Sequence, residues 1–237
     1  KIIIDTDPGQ DDAVAILLAL AYGLLMYKFS AWNTRRMLDQ KSTRLADPTL
    51  EKMNRDMARA LDVDHFKVHI FEIDPVNGLA APDGRIFITR GFYNKYKAGE
   101  VTAEELASVI AHELGHVALG HSKRRMIDFS GQNALRVVLT SIIGRFVPVV
   151  GPWIAGFLIN MLTAKLSRRD EYEADAYASA LLTKAGIGTA PQKTLFQKLD
   201  KLSAGMNSAP AWLLSHPKTA ERIAAIEENE AKWGVTN

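Results

Sequence analysis

The stretch His112-Glu113-Leu114-Gly115-His116 carries two imidazoles four residues apart, with a carboxylate next to the first. Residues four apart share one face of an α-helix, about one turn from each other, so both imidazoles can reach one metal ion. Two histidine nitrogens suit zinc, and Glu113, one position round the helix, is set beside the ion without binding it. From there its carboxylate can take a proton from a water whose pKa the metal lowers to about 7. The bland alternative is a helix bearing two unrelated histidines. Its setting opposes that: SVIAHELGHVALGH, residues 108–121, is apolar, and two buried imidazoles without partners would be costly.

A third donor is available in Ser167-Arg168-Arg169-Asp170-Glu171-Tyr172-Glu173-Ala174-Asp175. Glu171 and Asp175 share a helical face, so one carboxylate can bind zinc while the other orients a ligand histidine. Two histidines and one carboxylate, with a fourth position open, make a hydrolytic zinc site. Glu173 falls off that face and is expected to meet solvent. His121, five residues after His116, is rotated off the ligand face and reads as a supporting or helix-end histidine rather than a ligand. His65 and His69 lie in or beside a strand and read as surface or packing residues.

HELGHVALGH followed by S-R-R-D-E-Y-E-A-D resembles the M48 peptidase family. The resemblance implies that Glu171, which opens the family's E-[FY]-x-A-D, is the third zinc ligand, and that Asp175, which closes it, supports a ligand histidine. Asn77-Gly78-Leu79-Ala80 through Gly91 is similar to the family's edge-strand segment, with Gly78-Leu79 in place of its Ala-Phe. Ser215-His216-Pro217 through Arg222-Ile223 resembles its closing stretch. These matches run in family order from about Asp47 to Ala231.

They imply a zincin-like (gluzincin) fold, one Zn2+ per chain and a zinc-dependent endopeptidase acting on protein or peptide substrates. Quality control of misfolded or membrane-associated proteins is the implied role. Asn77, Gly78, Leu79 and Ala80 would bind substrate as an added strand. His216 would assist catalysis or gate the cleft. Arg168 would pair with a carboxylate near the site, the alternative being a solvated turn.

The elements that must position these residues are legible in outline. Asp47-Pro48 caps an amphipathic helix. Phe66–Ile73 alternates as a strand, and Asn77–Ala80 and Arg85–Thr89 suggest two short strands around Pro82-Asp83-Gly84. Thr102 and Glu105 form a capping box that starts the His112 helix. Later helices are expected over about Ser167–Lys184, from Pro191 and from Pro217. The pattern is a small sheet followed by many helices, hence α+β and mainly α.

The chain opens with KIIIDTDPGQDDAVAILLAL, whose Asp5, Asp7, Asp11 and Asp12 resemble the N-terminal signature of the nucleoside hydrolases. A calcium-dependent nucleoside hydrolase is therefore one alternative function, and a non-catalytic quality-control adaptor on the protease fold is another. The first needs a longer parallel α/β domain and distant partners, and the matches from Asp47 onward leave no room for them. The opening then reads as an orphan or chimeric leader into an apolar helix.

That division gives residues 1–32 as an acidic motif plus apolar helix, and residues 33–237 as the metalloprotease domain. Ala13–Tyr27 carries no charge, and Lys28, Arg35, Arg36, Lys41 and Arg44 follow it. If this helix enters a bilayer, the positive-inside tendency puts the catalytic domain in the cytoplasm. An extracytoplasmic or soluble protein, with the helix packed on the core, is the alternative. A second apolar stretch, Val137–Ala164, is broken by Gly144, Arg145, Pro148, Gly151 and Pro152, and is expected to form two short helices in a hairpin. Lys+Arg 29 against Asp+Glu 27 gives a net charge of +2, so no field favours nucleic acid. The absence of cysteine removes thiolate chemistry.

Overall fold

The computed structural model describes residues 10–81, 83–121, 151–204 and 219–234. In chain order the elements are α1 (Gln10–Gln40), β1 (Ser42–Arg44), α2 (Pro48–Ala60), β2 (Val68–Phe71), β3 (Gly78–Ala80) and β4 (Ile86–Thr89). Then follow α3 (Arg90–Lys97), α4 (Ala103–Ala118), α5 (Gly151–Lys184), α6 (Ala190–Ala204) and α7 (Thr219–Trp233). This is the expected mainly helical α+β architecture.

The strands order β1-β2-β4-β3, with β2 and β4 parallel and both outer pairs antiparallel. Period-two alternation sorts the sheet's side chains between two apolar clusters. Val68, Ile70, Ile86 and Ile88 join the main core with α2, α4, α5 and α6. Phe71 and Phe87 turn to the other face, where they meet Leu38 near the end of α1. His69 stacks on Phe87 at 5.3 Å, a packing role. The sheet thus backs α4 on one side and anchors the end of α1 on the other.

Two N-caps hold helices against this frame. Asp47 accepts from the Thr49 and Leu50 amides at 3.1 and 3.2 Å and also from the Tyr93 and Tyr96 hydroxyls. Burial pushes its carboxyl up, but the Leu50 amide and the two phenols outweigh that and hold it below the usual aspartate value. At α4 the Thr102 hydroxyl accepts from the Glu105 amide at 3.2 Å, and Glu105 accepts from the Thr102 amide at 2.8 Å. Glu105 also receives Thr194 and Lys198 from α6, so one cap ties two helices together.

Helix α5 departs from expectation. It begins at Gly151 instead of near Ser167 and runs 34 residues. Gly151-Pro152 lies in its first turn, where proline's missing N–H costs nothing. The described part of the second apolar stretch is helix continuous with Glu171; the rest of the expected hairpin falls on residues outside those described. Residues 137–150 lie outside the described residues, as do Asp5, Asp7, His216 and Pro217. Asp11 and Asp12 fall in the first turn of α1. Among the described residues no helix is long and apolar enough to cross a membrane.

Candidate metal centre

Helix α4 is buried from Glu105 to His116 and crosses α5 at closest range where Gly115 meets Ala174. A Cβ on Gly115 would stand 3.0 Å from both the Cα and the carbonyl oxygen of Ala174. Glycine allows this approach without crowding, and the approach carries Glu171, one turn before Ala174, onto the two histidines. His112 Nε2 and His116 Nε2 lie 3.1 Å apart, and Glu171 Oε2 and Oε1 lie 3.3 and 3.5 Å from them respectively. Tetrahedral bonds of about 2.0–2.1 Å to one zinc ion separate its donors by roughly 3.3 Å. The two ring nitrogens and the Glu171 carboxylate oxygens lie near that spacing.

The remaining ring nitrogens are also taken. His112 Nδ1 lies 2.9 Å from Asp175 Oδ1. Arg222, from α7, grips Asp175 with two hydrogen bonds of 2.6 Å while its guanidinium stacks 4.3 Å from the centre of the Phe196 ring. Burial pushes the Asp175 carboxyl up, but Arg222 and then His112 bring it down to about 2. For His112 burial favours the neutral ring, yet the bonds to Asp175 and Glu171 outweigh it and raise its pKa to about 9. An acidic, Arg-clamped carboxylate behind His112 holds the Nδ1 proton there and leaves Nε2 turned toward Glu171.

The model for peptidase family M48 matches residues 44–230. The chain belongs to peptidase family M48. Metalloprotease LoiP of Escherichia coli is 35% identical over 175 residues, which cover 72% of this chain and 64% of that protein. Protease HtpX of Pseudomonas putida is 27% identical over 244 residues, covering 89% of this chain and 80% of that one. The human mitochondrial metalloendopeptidase OMA1 is 23% identical over 186 residues, covering 75% and 34%. The chain spans less than two thirds of the length of several curated relatives it matches.

Within this M48 chain the other expected site residues fall as follows. Glu113 is 3% exposed and projects toward the edge strand, its Oε1 3.2 Å from where a Gly78 Cβ would stand. β3 is an edge strand; Gly78 stands against Glu113 and Val109 of α4, Ala80 packs on the same core, and Leu79 turns to the opposite face of the sheet. Asn77 spends its side-chain oxygen on the Gly78 amide at 3.0 Å. Arg168 is exposed, and the guanidinium on Asp175 is that of Arg222 instead. Glu173, expected in solvent, is half-buried between Arg169 and His121.

One participant, Arg222, escapes local reading, while His121, read as a supporting or helix-end histidine, lies 2.9 Å from His116. Arg222 stands 47 residues after Asp175. Its signal is the resemblance of Ser215-His216-Pro217 through Arg222-Ile223 to the family's closing stretch. His121 is turned back because Gly120, at φ +69, ends the helical path after Ala118. A continuing helix would have pointed it away.

Proposed function

We propose that this M48 chain is a zinc-dependent endopeptidase, with His112, His116 and Glu171 holding one Zn2+ and Glu113 as the general base. The observation that carries the reading is the convergence of three buried residues, their ring nitrogens and carboxylate oxygens 3.1–3.5 Å apart, with Glu113 on the same helix as the histidines. A zinc ion in such a site supplies Lewis acidity, acidifying water and polarising a carbonyl. Glu113 accepts the proton of the attacking water and delivers it to the leaving amine nitrogen. Asp175 and Arg222 keep His112 in one tautomer. The substrate lies extended along β3, where main-chain pairing aligns a peptide bond beside Glu113 without reading its sequence.

Protein quality control is the role we assign, with misfolded or membrane-associated proteins as substrates. Membrane association is supported by α1, whose Leu17, Leu24, Leu25, Phe29 and Trp32 are each more than half exposed at helical spacing. Arg35, Arg36 and Lys41 follow that face and suit an anionic lipid surface.

The test compares wild type with Glu113→Gln by metal analysis and casein cleavage. Wild type should carry one zinc and cleave; Glu113→Gln should keep the zinc and lose about 10²–10⁴-fold in rate. A wild-type protein without stoichiometric zinc would overturn the reading. Ribose release from inosine that survives Glu113→Gln would favour the nucleoside alternative. Full function of that variant in cells would favour the adaptor.

A further inference from the structure

Beyond His116 the hydrogen bonds continue along a buried chain. His116 Nδ1 lies 2.9 Å from His121 Nδ1, and the two rings meet edge to face at 5.1 Å. His121, fully buried, turns its Nε2 toward Glu173 Oε2 at 3.2 Å and Asp170 Oδ1 at 3.8 Å. Glu173 Oε1 in turn accepts from Arg169 Nε at 2.7 Å.

Proton accounting gives this chain one direction. A neutral imidazole carries a single N–H, so a His116 that ligates through Nε2 bears its proton on Nδ1. That proton points at His121 Nδ1, which must therefore be the acceptor. The proton of His121 is then on Nε2, where it is donated to Glu173.

The same atoms admit a rival reading. His121, Asp170 and Glu173 offer three donor atoms within 4.8 Å of one another, enough to hold a second cation. Ligation of that cation through His121 Nε2 would move its proton to Nδ1. Two N–H groups would then face each other across 2.9 Å. The two uses of the histidine pair are mutually exclusive with His116 bound to zinc.

We propose that His121 is a positioning residue for His116, fixing its tautomer and ring plane, and that the His121, Asp170 and Glu173 group is not a second metal site. The two ligand histidines are thus held by different chemistry, His112 by an arginine-clamped carboxylate and His116 by a second imidazole. This rests on the zinc site proposed above.

The test uses two isosteric variants of the full chain, measured by zinc stoichiometry, chelator competition and the visible spectrum after Co2+ substitution. His121→Asn keeps an acceptor oxygen where Nδ1 stands. His121→Gln keeps a donor near Glu173 but offers His116 no acceptor. The expected result is one zinc throughout, near-wild-type affinity and spectrum for His121→Asn, and about 10–100-fold weaker binding with an altered cobalt spectrum for His121→Gln. Equal affinities for the two variants, whether both normal or both weakened, would overturn the inference while leaving the zinc reading intact. Two ions in wild type falling to one in either variant would overturn it in favour of the second site. No zinc in wild type would overturn the underlying reading itself.

Discussion

Replacing Gly115 by alanine should loosen the metal site without touching any ligand. The new Cβ would lie 3.0 Å from the Ala174 Cα and carbonyl oxygen and 3.3 Å from its Cβ. Ordinary carbon contacts fall at about 3.5–4.0 Å. Two of the three obstructing atoms are backbone, so no rotamer change relieves them. The helices must part by a few tenths of an ångström. Metal–ligand bonds tolerate only about 0.2 Å. Glu171, one turn before Ala174 on α5, would be drawn from the histidines by at least about that tolerance.

Overpacking of this kind costs about 1–3 kcal/mol. For a chain of this size that lowers the melting temperature by roughly 2–4 °C per kcal/mol. Thermal melts of EDTA-treated and zinc-loaded protein separate the two effects. EDTA-treated Gly115→Ala should melt about 2–12 °C below wild type. Its gain on adding zinc should also shrink, because a hundredfold loss of affinity removes up to about 2.7 kcal/mol of linked stability. Chelator competition gives the affinity directly. Unchanged melting together with zinc affinity within twofold of wild type would refute the claim that this close approach sets the site's geometry.

Arg222→Met should cost about 3–5 kcal/mol, because it strands the Asp175 carboxylate in a buried setting; adding Asp175→Asn should recover part of the loss in denaturant melts. Asp47→Ala should cost about 1 kcal/mol through loss of the α2 cap. The folded state lowers Asp47's pKa, so the aspartate's contribution is complete above the unfolded value of about 4 and is lost as pH falls through the folded one. Acid titrations should therefore show wild type and Asp47→Ala converging in stability below that range, and curves that stay parallel would count against it.

Local physics made much of this protein readable from residues alone. The i, i+4 histidines, the capping box at Thr102 and the Asp47-Pro48 helix start depend on contacts within a few residues, and helical geometry makes such contacts the same in any protein. Strand alternation in Val68–Phe71 and Ile86–Thr89 is local in the same way. The family's motifs added Glu171 and Asp175, which local spacing had left interchangeable.

What tertiary structure decided are the relations between segments far apart in sequence. The parallel pairing of β2 with β4 and the edge position of β3 depend on packing across the whole sheet. Helix α5 absorbs Gly151-Pro152 because breakers in a first turn break nothing. Arg222 reaches Asp175 from a different helix, and His121 reaches His116 only because Gly120 at φ +69 reverses the chain. Spacing along one helix shows which residues share its face, but not which distant helix arrives there. That is set by how closely two backbones can pack, and here a single hydrogen in place of a methyl at Gly115 allows it.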